Sequence, residues 1–279
     1  MYSYPWYYWI AFFYIYCFIG WVFESTYVSL KEKKLINRGF LRLPILPLYG
    51  TGALMMLWLA LPVKDNLVLV FCTGVVAATV LEYATGYLME LLFKVRYWDY
   101  SNAKLNLHGY ICLTSSLAWG LLTILFTQVV HQTVQSLLLS LPAAVLFALL
   151  GIISFIFVAD CIQSVKAALV LARALEAITK IRIELEELQL QLALLKAETS
   201  QYLKRQIKRG QLKAASYSFT SAIRQKLTAQ LEELTEKRHT ILRYSNNYLK
   251  GLLRGNPTAT SNRFAEALKE LREALINNR

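Results

Sequence analysis

The feature that most restricts this chain is a series of apolar runs. Roughly residues 6–30, 46–63, 67–93, 109–130 and 142–165 are each apolar enough for a hydrocarbon core, which takes about 20 helical residues to cross. The second is the shortest and is bounded by Pro44, Pro47 and Pro62. A soluble domain carries about 25% charged residues. This chain of 279 residues carries 17%, and 56% of it is hydrophobic. In lipid, a backbone polar group has no water to bond, so a spanning segment of this kind must be helical. The expected fold is therefore all-α and polytopic: a transmembrane domain of five helices over residues 1–165, then a helical, coiled-coil-like tail over residues 166–279.

Charge is unevenly divided between these parts. Residues 1–165 hold nine Lys/Arg and seven Asp/Glu, and residues 166–279 hold 21 and 11. Orientation follows from basic residues in short loops. Lys31, Lys33, Lys34, Arg38 and Arg42 lie in the 31–45 loop, Lys94, Arg96 and Lys104 in the 94–108 loop, and Lys166 and Arg173 follow the last span, against a single Lys64 on the other side. This predicts a multi-pass protein of the cell membrane with its N-terminus outside and both basic loops and the tail in the cytoplasm. The start, MYSYPWYYWIAFFYIYCFIGW, has neither a basic beginning nor a small-residue cleavage site, so it reads as a retained first span and not as a signal peptide. Cys17, Cys72, Cys112 and Cys161 sit in apolar runs without C-x-x-C spacing and read as packing residues.

Beyond Asp160 the pattern becomes a heptad. Leu171, Ala174, Ile178, Ile181, Leu185, Leu188, Leu192 and Leu195 step alternately by three and four, the spacing of a coiled-coil seam. After an expected break near Gly210 to Ser218, a similar stripe runs through Leu227, Leu231, Leu234 and Ile241. A third, short amphipathic helix is expected on Phe264, Leu268, Leu271 and Leu275, capped by Ser261. The long helices suit either an intramolecular hairpin or a homo-oligomer, and the basic tail suits anionic membrane lipids, which attract Lys/Arg near the inner leaflet. No nucleic-acid partner is expected.

Four carboxylates fall within the apolar half. Glu82 lies near the middle of the third span, and Glu24, Glu90 and Asp160 lie toward the predicted inner ends of theirs. A charge at the bilayer centre costs about 2.5–3.5 kcal/mol even on lenient insertion scales, so it normally faces a partner or water. Ion pairs with Lys94, Arg96, Arg38 or Arg42 account for Glu24, Glu90 and Asp160. Glu82 lacks that explanation and suits either a protonated or hydrogen-bonded packing role or a polar cavity open to the cytoplasm. The 37–52 segment, NRGFLRLPILPLYGTG, and the 96–110 segment, RYWDYSNAKLNLHGY, have the compositions of constrained loops and are candidates for the floor or gate of that cavity. A hard-cation site from Glu24, Glu82, Glu90 and Asp99 is chemically possible. His108 is isolated, His131 is expected in an outer loop, and no histidine metal motif is present. Neither a P-loop, a G-x-G-x-x-G nor a G-x-S-x-G occurs, so any ATP hydrolysis belongs to a separate subunit. No enzyme, cofactor or metal is expected. An intramembrane lipid enzyme would need a nucleophile or metal constellation that the residues do not assemble.

Taken in order, GWVFES at 20–25, NRGF followed by P-x-x-P-x-YG at 37–50, LEYATGYLMELLF at 81–93, RYWDYS at 96–101 and N-x-x-GYICL-x-x-S-x-x-WG at 106–120 resemble a bacterial membrane family labelled "putative ABC-transporter type IV" or "putative ABC transporter permease", over roughly residues 5–165. The resemblance implies a permease-like integral membrane protein and assigns it no substrate; nothing in the sequence resembles the cytoplasmic coupling loop of common importers. Glu24, Arg38, Glu82, Glu90, Arg96, Trp98, Asp99 and Asn106 stand within its motifs, as does Gly109, and are the candidate cavity or substrate-binding residues. The tail lies outside the resemblance. Two functions follow as expectations: a transport component with a carboxylate-lined cavity open to the cytoplasm, or a membrane-anchored assembly or regulatory protein whose tail recruits partners.

Overall fold

A computed structural model describes residues 4–209, 214–244 and 247–277. The chain is all-α apart from one minimal hairpin. Helix α1 spans Trp6–Glu32, α2 spans Pro47–Ala60 and continues into a 3-10 turn Leu61–Val63, and α3 spans Leu67–Phe93. Strands β1 (Asn106–Leu107) and β2 (Ile111–Cys112) pair antiparallel, with Asn106 opposite Cys112. Helix α4 (Leu113–Leu125) passes through a π turn at Phe126–Val130 into α5 (His131–Leu139). Then come α6 (Ala143–Arg209), α7 (Ala214–Arg243), α8 (Asn247–Gly255) and α9 (Ala265–Arg272), with a second π turn at Glu273–Asn277.

By length and composition, four helical stretches can cross a membrane: Trp6–Glu32, Leu67–Phe93, Leu113–Leu139 and the apolar part of Ala143–Tyr202. The remaining expected span, Pro47–Val63, is a shorter apolar helix. Its ends are set by Pro47 at the first turn and by the tight turn containing Pro62. The last span and the start of the heptad are one uninterrupted helix of 67 residues. Of the break expected between Gly210 and Ser218, residues 210–213 lie outside the described residues; the chain is helical from Ala214.

Two compact units divide the chain: Met1–Ala172 with Asn246–Arg263, and Arg173–Ser245 with Phe264–Arg279. In the first, small residues let helices approach closely, as membrane interfaces require. A Cβ on Gly20 would overlap the Tyr49 ring of α2, and one on Gly74 would overlap Thr123 of α4. At the end carrying the N-terminus, Ala11, Phe12, Leu57, Val134, Leu138, Leu146 and Leu150 form a buried core. His131 belongs to this end but not to a loop: it is a helical residue, 2% exposed, sharing a 2.7 Å hydrogen bond with the Tyr16 hydroxyl through Nδ1. The sequence put it in a loop because the π turn carries the helix nine residues past the expected end of the span.

Within the second unit, the expected seam of α6 is buried at Ile178, Ile181 and Leu185 and half-buried at Ala174, Leu188, Leu192 and Leu195, and Leu175 beside it is also buried. Phe264, Leu268, Leu271 and Leu275 are buried as their spacing foretells. Ser261 is not their cap: helix α9 starts at Ala265, and the Ser261 hydroxyl donates to the Lys94 carbonyl in the first unit, 2.7 Å away. Arg182 pairs with Glu266 at 3.6 Å and Arg238 with Glu270 at 2.6 Å.

Candidate functional site

The two basic loops are held tightly, and by backbone chemistry. Helix α1 ends at Lys33 in the left-handed region (φ 52), where its N–H returns to the Ser29 carbonyl. The Ser29 and Ser25 hydroxyls then accept from the N–H groups of Ile36 (3.0 Å) and Arg38 (3.1 Å). Further on, the Asp160 carboxylate of α6 accepts from both Arg42 N–H and Leu43 N–H, each at 3.0 Å. Asp160 is thus satisfied by amides and not by the side-chain ion pair expected of it. In the 94–112 loop, Asn106 donates to the Ser101 and Ala103 carbonyls and accepts from Gly109 N–H. Gly109 has φ +76, and a Cβ there would meet Ser101, Arg96 and Asp99, so only glycine fits.

The motif residues gather into linked clusters. Tyr49 donates to Glu24 at 2.7 Å, and Arg38 Nε lies 3.8 Å from the same carboxylate. Arg38 also donates to the Tyr97 carbonyl and to Asn256 Oδ1, each at 3.0 Å. Burial lowers the affinity of its guanidinium for the proton, and Glu24 offsets this. Around Glu90, Arg96 Nε approaches to 2.5 Å and the Tyr110 hydroxyl to 2.6 Å, with Arg96 stacked over the Tyr110 ring at 4.8 Å. Trp98 donates to the Tyr110 carbonyl at 2.9 Å and packs over Gly86 of α3. These are the ion pairs expected of Glu24 and Glu90.

Asp99 lies 3.8 Å from Arg96 and accepts from Ser101 and from the Thr260 hydroxyl (3.0 Å). Partial burial alone would raise its carboxyl. The hydrogen bonds from Ser101 and Thr260 and the Arg96 charge outweigh that and hold it below the usual carboxylate range. Thr260 also pairs by backbone with Arg96, N to O at 2.8 and 2.9 Å. With Asn256 on the Gly39 carbonyl (2.8 Å), Arg42 over the Tyr248 ring (4.8 Å) and Ser261 on Lys94, residues 247–263 form a strap across both basic loops. Nothing in the sequence signals this strap.

Glu82 stands apart from these ion pairs. It is 8% exposed; Tyr100 donates to Oε1 at 3.1 Å and Ser115 to Oε2 at 3.4 Å, and among the described residues no cation pairs with it. It faces a cavity of about 290 Å³ among α1, α2, α3, α4 and the π turn. The lining is largely apolar, with Gly20, Ala53, Met56, Leu81 and Trp119 among its residues, and Glu82 is its one carboxylate among the described residues. Of the expected cavity carboxylates Glu82 lines this space, whereas Glu24, Glu90 and Asp99 lie beside Arg38 and Arg96 and do not line it. Nor do the four acids gather into a hard-cation site, since no cluster of three or more ligating side chains fit for a metal occurs among the described residues. Tyr49, Tyr100 and Trp119 are not among the expected site residues, although all three stand in the quoted motifs; an aromatic letter gives no sign of which carboxylate it faces.

The comparisons with known proteins agree with the motifs. Residues 11–165 match a family described as "Putative ABC-transporter type IV". No curated protein and no solved structure matches the chain. The match spans more than half of the chain and ends in α6, beyond Asp160, so Glu82 and its cavity fall within it. The chain is a membrane protein related to transport, and it belongs to the putative ABC-transporter type IV family.

Proposed function

We propose that this protein is a permease-like component of a transport system, in which the cavity beside Glu82 holds the solute in passage. The observation that carries this reading is the state of Glu82: a buried carboxylate facing a cavity, given hydrogen-bond donors by Tyr100 and Ser115 but, among the described residues, no cation. A buried acid without a charge partner is costly, and a solute bearing a positive or donor group would supply what the protein withholds. Glu24, Glu90 and Asp160 are already neutralised or bonded within the fold. In this reading the N-terminus lies outside, and the basic loops and tail lie in the cytoplasm. The chain is not itself an enzyme, and a separate ATPase subunit supplies energy. The test is mass spectrometry of gently purified protein. Wild type is expected to carry a bound small molecule that Glu82→Gln lacks; equal occupancy in both overturns the reading.

A second reading, a membrane-anchored assembly protein, is favoured by one observation. Ile183, Leu190 and Leu194 form an exposed apolar row along α6 beyond the buried seam, as a pairing helix in a homo-oligomer would present. Replacing all three by serine is expected to lower the oligomer mass in light scattering. Unchanged mass removes the support for pairing through this helix.

A further inference from the structure

We infer that the Glu82 cavity is filled sideways from the bilayer, and that its occupant is an amphiphile with one cationic head group and an apolar chain. The inference rests on the transport reading for the role of Glu82 and adds the class of solute and its route. Ile19 and Phe23 of α1 and Leu122 and Leu125 of α4 line the cavity, yet they are 40%, 58%, 38% and 52% exposed. The same two helices carry further exposed apolar side chains beside that rim, such as Phe18, Val22, Leu117 and Leu121. On helices long and apolar enough to cross a membrane, such faces meet acyl chains and not water. The cavity mouth bordered by these side chains therefore opens toward lipid.

The polar end of the space is closed differently. Tyr100, from the 94–112 loop, and Ser115, from the first turn of α4, reach the Glu82 carboxylate and leave it 8% exposed. That loop is fixed in turn by the strap, through Thr260 on Arg96 and Asp99. A water-soluble cation would have to shed its hydration shell for one carboxylate and an apolar wall, an exchange in which desolvation outweighs the gain unless further polar partners exist. An amphiphile keeps its chain in an apolar medium throughout and exchanges only its head group. One carboxylate matches one cationic group. At about 290 Å³ the space stands near the lower end of ligand-sized pockets, so it accommodates the head group and the adjoining chain while the rest of the chain extends through the lateral mouth.

The experiment uses full-length protein in nanodiscs of neutral phospholipid, with thermal unfolding read against added dodecylammonium, ethylammonium or dodecanol. A ligand that binds only the folded state raises its stability. Dodecylammonium is expected to raise the unfolding temperature of wild type, and its apparent affinity for Glu82→Gln to be weaker by about tenfold or more. Dodecanol and ethylammonium are expected to give no difference between the two proteins. Leu122→Trp, which narrows the lateral mouth without touching Glu82, is expected to weaken dodecylammonium alone. If ethylammonium stabilises wild type through Glu82 as well as dodecylammonium does, the lateral amphiphile is overturned while the role of Glu82 stands. If no amine distinguishes wild type from Glu82→Gln, both are overturned.

Discussion

Each membrane-embedded acid has its own physical solution, and the solutions predict different consequences of mutation. Glu90 is neutralised by Arg96, Glu24 shares Arg38 with carbonyl and amide partners, and Asp160 binds two backbone amides. For Asp160, buried at 5% exposure, removal of the carboxylate orphans both the Arg42 and Leu43 N–H groups. Asp160→Ala is expected to cost about 2–6 kcal/mol, from about 1–3 kcal/mol for each of the two N–H groups left unsatisfied, whereas Asp160→Asn keeps one acceptor and costs less. Thermal unfolding in nanodiscs checks the order, and equal costs would contradict the amide-binding role. This is also where sequence reading meets its limit. A carboxylate near basic residues suggests an ion pair, because side-chain charge is visible in the letters, but every residue has a backbone N–H and none advertises it. Glu90 and Arg96 were legible for the same reason that Asp160 was not.

Among the elements, the strap of residues 247–263 joins the tail sequence to loops more than 150 positions earlier, by Thr260 on Arg96 and by Asn256 on Arg38 and Gly39. Its acid sensitivity follows from Asp99, whose carboxyl is held below the usual range chiefly by accepted hydrogen bonds against the pull of burial. A carboxyl depressed on folding contributes stability that is present above its unfolded value, about 3.9, and is lost as pH falls through the folded value. Hydrogen exchange at residues 256–261 is therefore expected to be slow and flat above about pH 5 and to speed up, after correction for intrinsic rates, as pH drops below about 4. Asp99→Asn is expected to exchange faster throughout and to lose that acid step. A strap whose protection follows the same pH course in both proteins would contradict the account. The spacing of apolar residues foretold the helices α1, α3 and α6, because periodicity is a local property. It did not foretell the strap, which is built from non-local backbone pairing and single polar contacts, nor the π turn, whose extra residue carries the helix on to His131.

For the whole molecule, the class of fold was legible from the apolar runs, and the family from five motifs in order. What the letters did not show is how the polar groups are divided: three acids serve the architecture, and one, Glu82, faces an apolar cavity beside Tyr100, Ser115 and Trp119. The motifs quote Glu82, Tyr100 and Trp119 and leave Ser115 at a variable position, and only packing tells a carboxylate paired with a cation from one that is not. The central claim is that Glu82 and its cavity hold the transported solute, and a comparison of two glutamates on the same helix tests it most directly. Wild type, Glu82→Gln and Glu90→Gln are purified gently from the same membranes, and bound small molecules are counted by native mass spectrometry at equal folded fraction. The account predicts the same bound molecule in wild type and Glu90→Gln and its loss from Glu82→Gln. Retention by Glu82→Gln at wild-type occupancy, or equal loss from both variants, would contradict it.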